Sequence, residues 1–214
     1  MRKVTIIKCG YCNILSVKRA FEHCGAEVSV SDSVSAIEKA ERLVLPGVGA
    51  FADGMDWLKD KGLTLPIKEY VKTKRPFLGI CLGMQMMFDE SEEFGLSKGF
   101  GFIPGRVVCI PRVGSGNRPH KIPHIGWNSL EKPQGIFNWD NTLLQGINEG
   151  DFVYFVHSFT SLPDDESCRL ADTYYDGCRI SAVVRSGSLY GCQFHPEKSA
   201  TIGLKIIKNF VELN

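Results

Sequence analysis

The apolar positions of the first hundred residues switch between two spacings. Residues 4–7 are a short run rich in β-branched side chains. Asn13 can cap a helix through its side-chain oxygen, and Ile14, Val17, Phe21 and Cys24 then recur three and four apart, which predicts a helix ended by Gly25. Strand-like runs over 27–30, 42–45 and 76–80 alternate with helical patterns over 36–40, 51–58, 65–73 and 82–88, and Pro46-Gly47 stops the second of these strands. Strand–helix alternation of this kind predicts a parallel sheet covered on both faces.

The pattern changes after residue 100. Strands are predicted over 102–110 (interrupted at Pro104-Gly105), 152–156, 169–175, 179–185 and 189–194. Asp176-Gly177 and Ser186-Gly187 read as two-residue hairpin turns between the last three. Residues 114–119 read as a loop, and Ile202, Ile206, Phe210 and Leu213 mark one face of a closing helix. With no internal repeat and no linker, the expectation is a single α/β domain over 1–214. It is an open, mostly parallel sheet flanked by helices, with an added antiparallel meander. At 214 residues, 43% of them hydrophobic, folding should bury roughly 70% of the unfolded surface.

Charge removes several functions from consideration. The balance of 25 basic to 24 acidic residues leaves a formal net charge of +1, which gives no global attraction for nucleic acid or an anionic membrane. No apolar run approaches the roughly 20 residues of a membrane span. Lysine at position 8 also leaves no room for a secretory apolar region, so the eight cysteines are expected to form a reduced, cytosolic thiol set.

One of those cysteines stands in unusual company. Gly79-Ile80-Cys81-Leu82-Gly83 lies between an apolar strand and a helix, the cysteine version of the G-x-S-x-G nucleophile elbow. Glycines two before and two after suit a sharp turn crowded by neighbouring backbone. The helix start favours negative charge on sulfur, and the N–H of Leu82 is free for a developing oxyanion. A thiolate nucleophile needs a proton shuttle. His195 follows a strand end, and Glu197 two residues on can take one imidazole nitrogen and leave the other for sulfur. In extended geometry both side chains point the same way.

Gly47-x-Gly49-x-x-Ala52 superficially fits a dinucleotide fingerprint, but the next strand lacks the acidic end that this would need. A glycine-rich strand lending N–H groups to an anion beside Cys81 is the better use. Cys9-Gly10-Tyr11-Cys12 after a strand is a rival, the layout of a thiol–disulfide redox site. It gives no role to Cys81 or His195. A zinc site lacks a second ligand pair, so no metal is expected. The segments 124–128 and 156–159 mix polar and aromatic residues that could wall a pocket, while 91–93 is acidic and solvated unless it faces that pocket.

The sequences Phe77-Leu78-Gly79-Ile80-Cys81-Leu82-Gly83-Met84-Gln85 and Phe194-His195-Pro196-Glu197-Lys198-Ser199 resemble the nucleophile and His–Glu motifs of class I (triad-type) glutamine amidotransferases. Pro46-Gly47-Val48-Gly49-Ala50-Phe51, Pro123-His124-Ile125-Gly126-Trp127-Asn128 and Tyr154-Phe155-Val156-His157-Ser158-Phe159 add a likeness to the HisH family, glutaminase subunits of imidazole glycerol phosphate synthase. The likeness implies that Cys81 attacks the side-chain amide of L-glutamine, with Val48 and Leu82 as oxyanion donors and His195, oriented by Glu197, protonating the ammonia. It also implies that Gly49, Gln85, Glu93, His157, Ser158 and Phe159 hold the substrate, the last three largely through main chain. Asn13, Trp127, Tyr154 and Lys198 would lie near a cyclase subunit of HisF type and the ammonia passage. No cofactor is required for the glutaminase step, and because the chain has no second catalytic domain, a separate acceptor-binding partner is implied.

The first loop departs from the family pattern: Asn13 is kept, but Cys12 replaces a glycine. The segments 112–121 and 139–150 are longer than in the leanest members. These features resemble a paralogous branch that supplies ammonia to nucleotide-activated sugars in surface polysaccharide synthesis, so the acceptor stays open between the two.

Overall fold

The computed structural model describes residues 1–10, 13–136 and 138–213. The first half builds the expected alternation. Strands β1 (Lys3–Ile7), β2 (Glu27–Ser31), β3 (Leu43–Gly47) and β4 (Phe77–Cys81) are separated by helices α1 (Ile14–His23), α2 (Val34–Lys39), α3 (Phe51–Asp60) and α4 (Thr64–Lys72). Asn13 caps α1, its Oδ1 accepting from the Ser16 N–H at 3.4 Å. A one-turn helix α5 (Leu82–Gln85) follows β4. Then come β5 (Phe88–Ser91), β6 (Ser97–Lys98), β7 (Ile103–Cys109), β8 (His124–Ser129), β9 (Phe152–His157) and β10 (Phe159–Pro163). The chain closes with β11 (Arg169–Tyr175), β12 (Cys178–Ser186), β13 (Leu189–Cys192) and α6 (Ala200–Glu212).

The main sheet has the order β11-β12-β13-β4-β3-β1-β2. From β2 to β13 neighbouring strands are parallel, while β13, β12 and β11 pair antiparallel, so the meander extends the parallel sheet at its own edge. Successive side chains of a strand point to opposite faces. Val4, Ile6, Val44, Leu78 and Ile80 therefore join Val17 and Phe21 of α1 and Ile206 and Phe210 of α6 on one side. Leu43, Leu45 and Phe77 meet Ile37, Phe51, Leu58, Ile67 and Tyr70 of α2, α3 and α4 on the other. The rings of Phe21 and Phe210 meet edge to face with centroids 6.1 Å apart, and each such buried ring contributes about 1.5–3 kcal/mol.

Several expected boundaries move. The helix foreseen over 82–88 is a single turn. The carbonyls of Met86, Met87 and Phe88 accept from Phe100, Phe102 and Gly101, so they bond the returning chain instead of a helical ladder. Residues 88–91 become a strand in a second sheet, β10-β7-β5-β6. Strand β7 runs through Pro104-Gly105 on its β10 side, where Gly105 pairs with Pro163, but on its β5 side the register shifts at these two residues, with Gly105 at φ +134° and its N–H accepted by Asp89 Oδ2 at 3.0 Å. The Asp176-Gly177 turn is as expected, but the second turn is Gly187-Ser188, because Ser186 still pairs with Leu189. Strands β5, β6, β8 and β10 were not foreseen. Cys9 is disulfide-bonded, which corrects the fully reduced thiol set, while Cys24, Cys81, Cys109, Cys168, Cys178 and Cys192 are free. Cys12, the other half of the C-x-x-C motif, lies outside the described residues. No described helix is long and apolar enough to cross a membrane, and no described cluster could hold a metal ion.

Candidate active site

Cys81 ends β4 and immediately precedes α5, with φ 54° and ψ −110°, a conformation unfavourable for an L-residue. The turn closes because its flanking glycines have no side chains. A Cβ on Gly79 would lie 2.6 Å from the Gly83 carbonyl oxygen, and one on Gly83 would lie 1.8 Å from the Leu45 carbonyl oxygen. Backbone strain of this kind persists only where surrounding packing enforces it, and here β3 and β13 grip β4 from both sides. Gly47 pairs in register with Cys81, which sets Val48 and Gly49 beside the sulfur. Leu82 opens α5, so its N–H precedes the helical hydrogen-bond ladder.

His195 comes from the segment after β13. Its Nδ1 lies 2.8 Å from Glu197 Oε1, and both side chains are almost wholly buried. The spacing brings the pair together by a different route from the extended one expected. His195 is extended, but Glu197 sits in a 3₁₀ turn (Pro196–Lys198) opened by proline. Among the described residues His195 Nε2 has no hydrogen-bond partner, which leaves it for Cys81, the other group that acts on the ring. Burial alone would discharge this imidazole. Hydrogen bonding and charge at Cys81 and Glu197 outweigh burial and push it up to about 10. At neutral pH the ring is an imidazolium, able to protonate a leaving amine.

These groups face a cavity of about 300 Å³ lined by Val48, Gly49, Cys81, Leu82, Gln85, Glu93, Pro123, Val156, His157, Ser158, Phe159 and His195. All the residues expected to bind substrate or to donate to an oxyanion line it. Glu197 stands behind His195. Val156 belongs to the 156–159 segment expected to wall a pocket, and Pro123 was quoted only as part of a family motif, with no role. Glu93, from the acidic stretch, does face the cavity. Its Oε2 accepts the Phe51 N–H at 2.7 Å, and burial holds its carboxyl above the usual carboxylate range.

A second polar chain runs through the wall. His157 Nδ1 is 2.8 Å from the Phe159 carbonyl, which can only accept, so Nδ1 carries the proton. His157 Nε2 then accepts from His124 Nδ1 at 2.9 Å, and His124 Nε2 accepts from the Asn128 amide at 3.4 Å. Burial pushes His157 down to about 3 and His124 down to about 4, so both rings are neutral at physiological pH. His124 was singled out only as part of a mixed segment, and nothing local marked its bond to His157.

The four residues expected near a partner lie together on one flank. The Trp127 and Tyr154 rings pair across β8 and β9 at 6.0 Å, and Trp127 is half exposed. Asn13 and Lys198 border a small cavity of about 30 Å³ that shares Val48 and His195 with the larger one.

The chain resembles known proteins along nearly its whole length. The profile of the glutamine amidotransferase class-I family matches residues 5–213. A Legionella pneumophila protein named imidazole glycerol phosphate synthase subunit HisH 1 is 49% identical over 213 residues, covering 100% of both chains. A Geobacillus protein named imidazole glycerol phosphate synthase subunit HisH is 45% identical over 98% of this chain and 96% of its own. Among solved structures, PurLQS from Thermotoga maritima superposes with a TM-score of 0.71 at 19% identity, covering 98% of both chains, which speaks to the fold alone. With a profile spanning nearly every residue and relatives alike from end to end, the chain belongs to the class-I glutamine amidotransferase family and is a HisH-like member of it.

Proposed function

We propose that this chain is a single glutaminase domain that hydrolyses L-glutamine through a Cys81 thioester and hands the ammonia to a separate synthase subunit of HisF type in histidine biosynthesis. The observation that carries the reading is the shared cavity. Elbow cysteine, carboxylate-backed imidazole and substrate-sized space of about 300 Å³ meet at one end of β3 and β4. Cys81 sulfur attacks the amide carbon, and the N–H groups of Val48 and Leu82 take up the oxyanion. The imidazolium of His195 gives its proton to nitrogen, the C–N bond breaks and ammonia leaves. Water then loses a proton to His195 and attacks the thioester carbon. The C–S bond breaks, the electron pair returns to sulfur and glutamate is released.

Substrate recognition follows from the direction of the hydrogen bonds. Gln85 Nε2 donates to the Phe159 carbonyl at 3.1 Å and to Gln193 Oε1 at 3.0 Å. With both amide hydrogens committed, Gln85 offers only its oxygen, an acceptor suited to the α-ammonium of glutamine beside the Glu93 carboxylate. Ammonia is about the size of water, and the 30 Å³ space bordered by Asn13 and Lys198 gives it room on the flank where Trp127 and Tyr154 are presented. The names of the relatives support a synthase complex and hence a cytoplasmic biosynthetic setting.

The test is the Cys81→Ala chain assembled with its synthase. Glutamine-dependent synthesis should vanish, while ammonium-dependent synthesis continues at the parental rate. Glutamine hydrolysis by the variant at the parental rate would overturn the assignment.

A further inference from the structure

We infer that Gln193 is a further catalytic residue, an N–H donor to the Cys81 sulfur that also locks the orientation of Gln85. This deepens the glutaminase reading and rests on it. Gln193 is fully buried in the segment that joins β13 to His195, where an amide side chain among apolar neighbours is costly unless every polar atom is used.

The orientation of the amide follows from a fixed point in the backbone. The Phe159 carbonyl can only accept, so the Gln85 atom 3.1 Å from it is the nitrogen. That same nitrogen lies 3.0 Å from a Gln193 atom, which must therefore be the oxygen. The remaining end of Gln193, its NH₂ group, is 3.7 Å from Cys81 Sγ. The order of donors is thus set from the substrate wall to the nucleophile: Gln85 gives to Gln193, and Gln193 gives to sulfur. His195 approaches the sulfur as well, and the Val156 carbonyl lies 3.9 Å from it. Among these neighbours, Gln193 is the neutral donor whose hydrogen is not consumed by the reaction.

A sulfur atom accepts more strongly as a thiolate than as a thiol or thioester. The Gln193 N–H therefore favours the nucleophile before attack and the leaving thiolate when water cleaves the thioester. His195 must surrender its proton in the first step, whereas Gln193 keeps its own throughout. Its other role is positional. Its oxygen occupies one of the two Gln85 hydrogens, which turns the Gln85 oxygen towards the cavity.

The experiment compares the full chain with Gln193→Met, close in volume but without the amide, and with Gln193→Asn, whose shorter amide withdraws from the sulfur. The rate of Cys81 alkylation by iodoacetamide is followed by peptide mass spectrometry across pH, beside glutaminase kinetics in the synthase complex. The titratable groups around the sulfur are His195 with Glu197 behind it, and His157 and Glu93 across the cavity, and all stay in place. At pH 7 alkylation should fall about 10-fold in both variants. At pH 9.5 variant and parent should converge, because thiols there are largely ionised. The kcat for glutamine should fall about 10–100-fold, and KM should rise more for Gln193→Met. Equal alkylation of parent and variants at pH 7, or an equal loss at both pH values, would overturn the inference, the latter marking altered access only. A parental chain without glutaminase activity would instead overturn the function and leave the alkylation comparison standing.

Discussion

Two imidazoles share one cavity and are driven in opposite directions. His195 and His157 both line the space around Cys81, and both are buried. His195 is pushed up to about 10, whereas His157 is pushed down to about 3. Burial acts in the same sense on each, against the charged ring. What differs is the company. His195 has Cys81 and, at 2.8 Å, the Glu197 carboxylate, while His157 has a carbonyl and a second neutral imidazole. Burial withdraws charge by default, and hydrogen bonding and charge at Cys81 and Glu197 together reverse it here. One ring is thereby set to move protons and the other to hold a wall.

The largest expected effect breaks the comparison at its carboxylate. Glu197→Gln keeps the shape but removes the charge, so with only Cys81 left to oppose burial His195 should titrate well below its parental value. Glutaminase kcat should fall about 10²–10⁴-fold, checked by steady-state kinetics beside histidine NMR. A variant within threefold of the parent would mean that the carboxylate does not set the charge of His195.

The next effect concerns stability. His157 and His124 are neutral when folded and protonate near 6.5 when unfolded, so between about 6.5 and 3 the unfolded chain binds more protons. Their contribution is complete above about 6.5 and is lost as pH falls through that window, on the order of 5 kcal/mol for the pair by pH 4.5. The sign is reversed for His195, whose contribution is complete below about 6.5 and is lost as pH rises through 10. Urea midpoints across pH should show the acid limb, and His124→Asn should flatten it while still offering a donor to His157.

The smallest effect builds the missing charge. Asn128→Asp places a carboxylate where the Asn128 amide now meets His124 Nε2 at 3.4 Å. His124 should then protonate about 1–3 pH units higher, read by NMR titration. An unmoved His124 would show that the partner does not decide the charge at this site.

What the chain disclosed by itself depended on distance along it. The elbow is written in residues two apart, Gly79, Cys81 and Gly83, and the proton shuttle in His195 and Glu197, so local spacing carried both. The helices facing the sheet were legible because Val17 and Phe21, or Ile206 and Phe210, repeat at helical spacing. Strand β8 was hidden because its alternation is inverted: His124 is buried and Asn128 partly so, while Ile125 and Trp127 face solvent. Gln193 carried no local signal, since its partners, Gln85 and Cys81, lie 108 and 112 positions away. The turn at Gly187-Ser188 slipped by one residue because two glycine-containing pairs were available and only cross-strand register decides between them.

The main chain of strand β9 meets the backbone of His195 and the sulfur of Cys81. The Tyr154 carbonyl accepts the His195 N–H at 3.0 Å, and two residues on, the Val156 carbonyl lies 3.9 Å from Cys81 Sγ. Those carbonyls are spaced by the rise of two extended residues, about 6.5–7 Å. The strand is therefore a ruler laid between base and nucleophile, and its graduation is a peptide length that no side-chain substitution can rescale. The Tyr154 side chain, on the outer side of that ruler, meets Trp127. The aromatic pair therefore stands on the strand whose main chain holds the His195 backbone and meets the Cys81 sulfur.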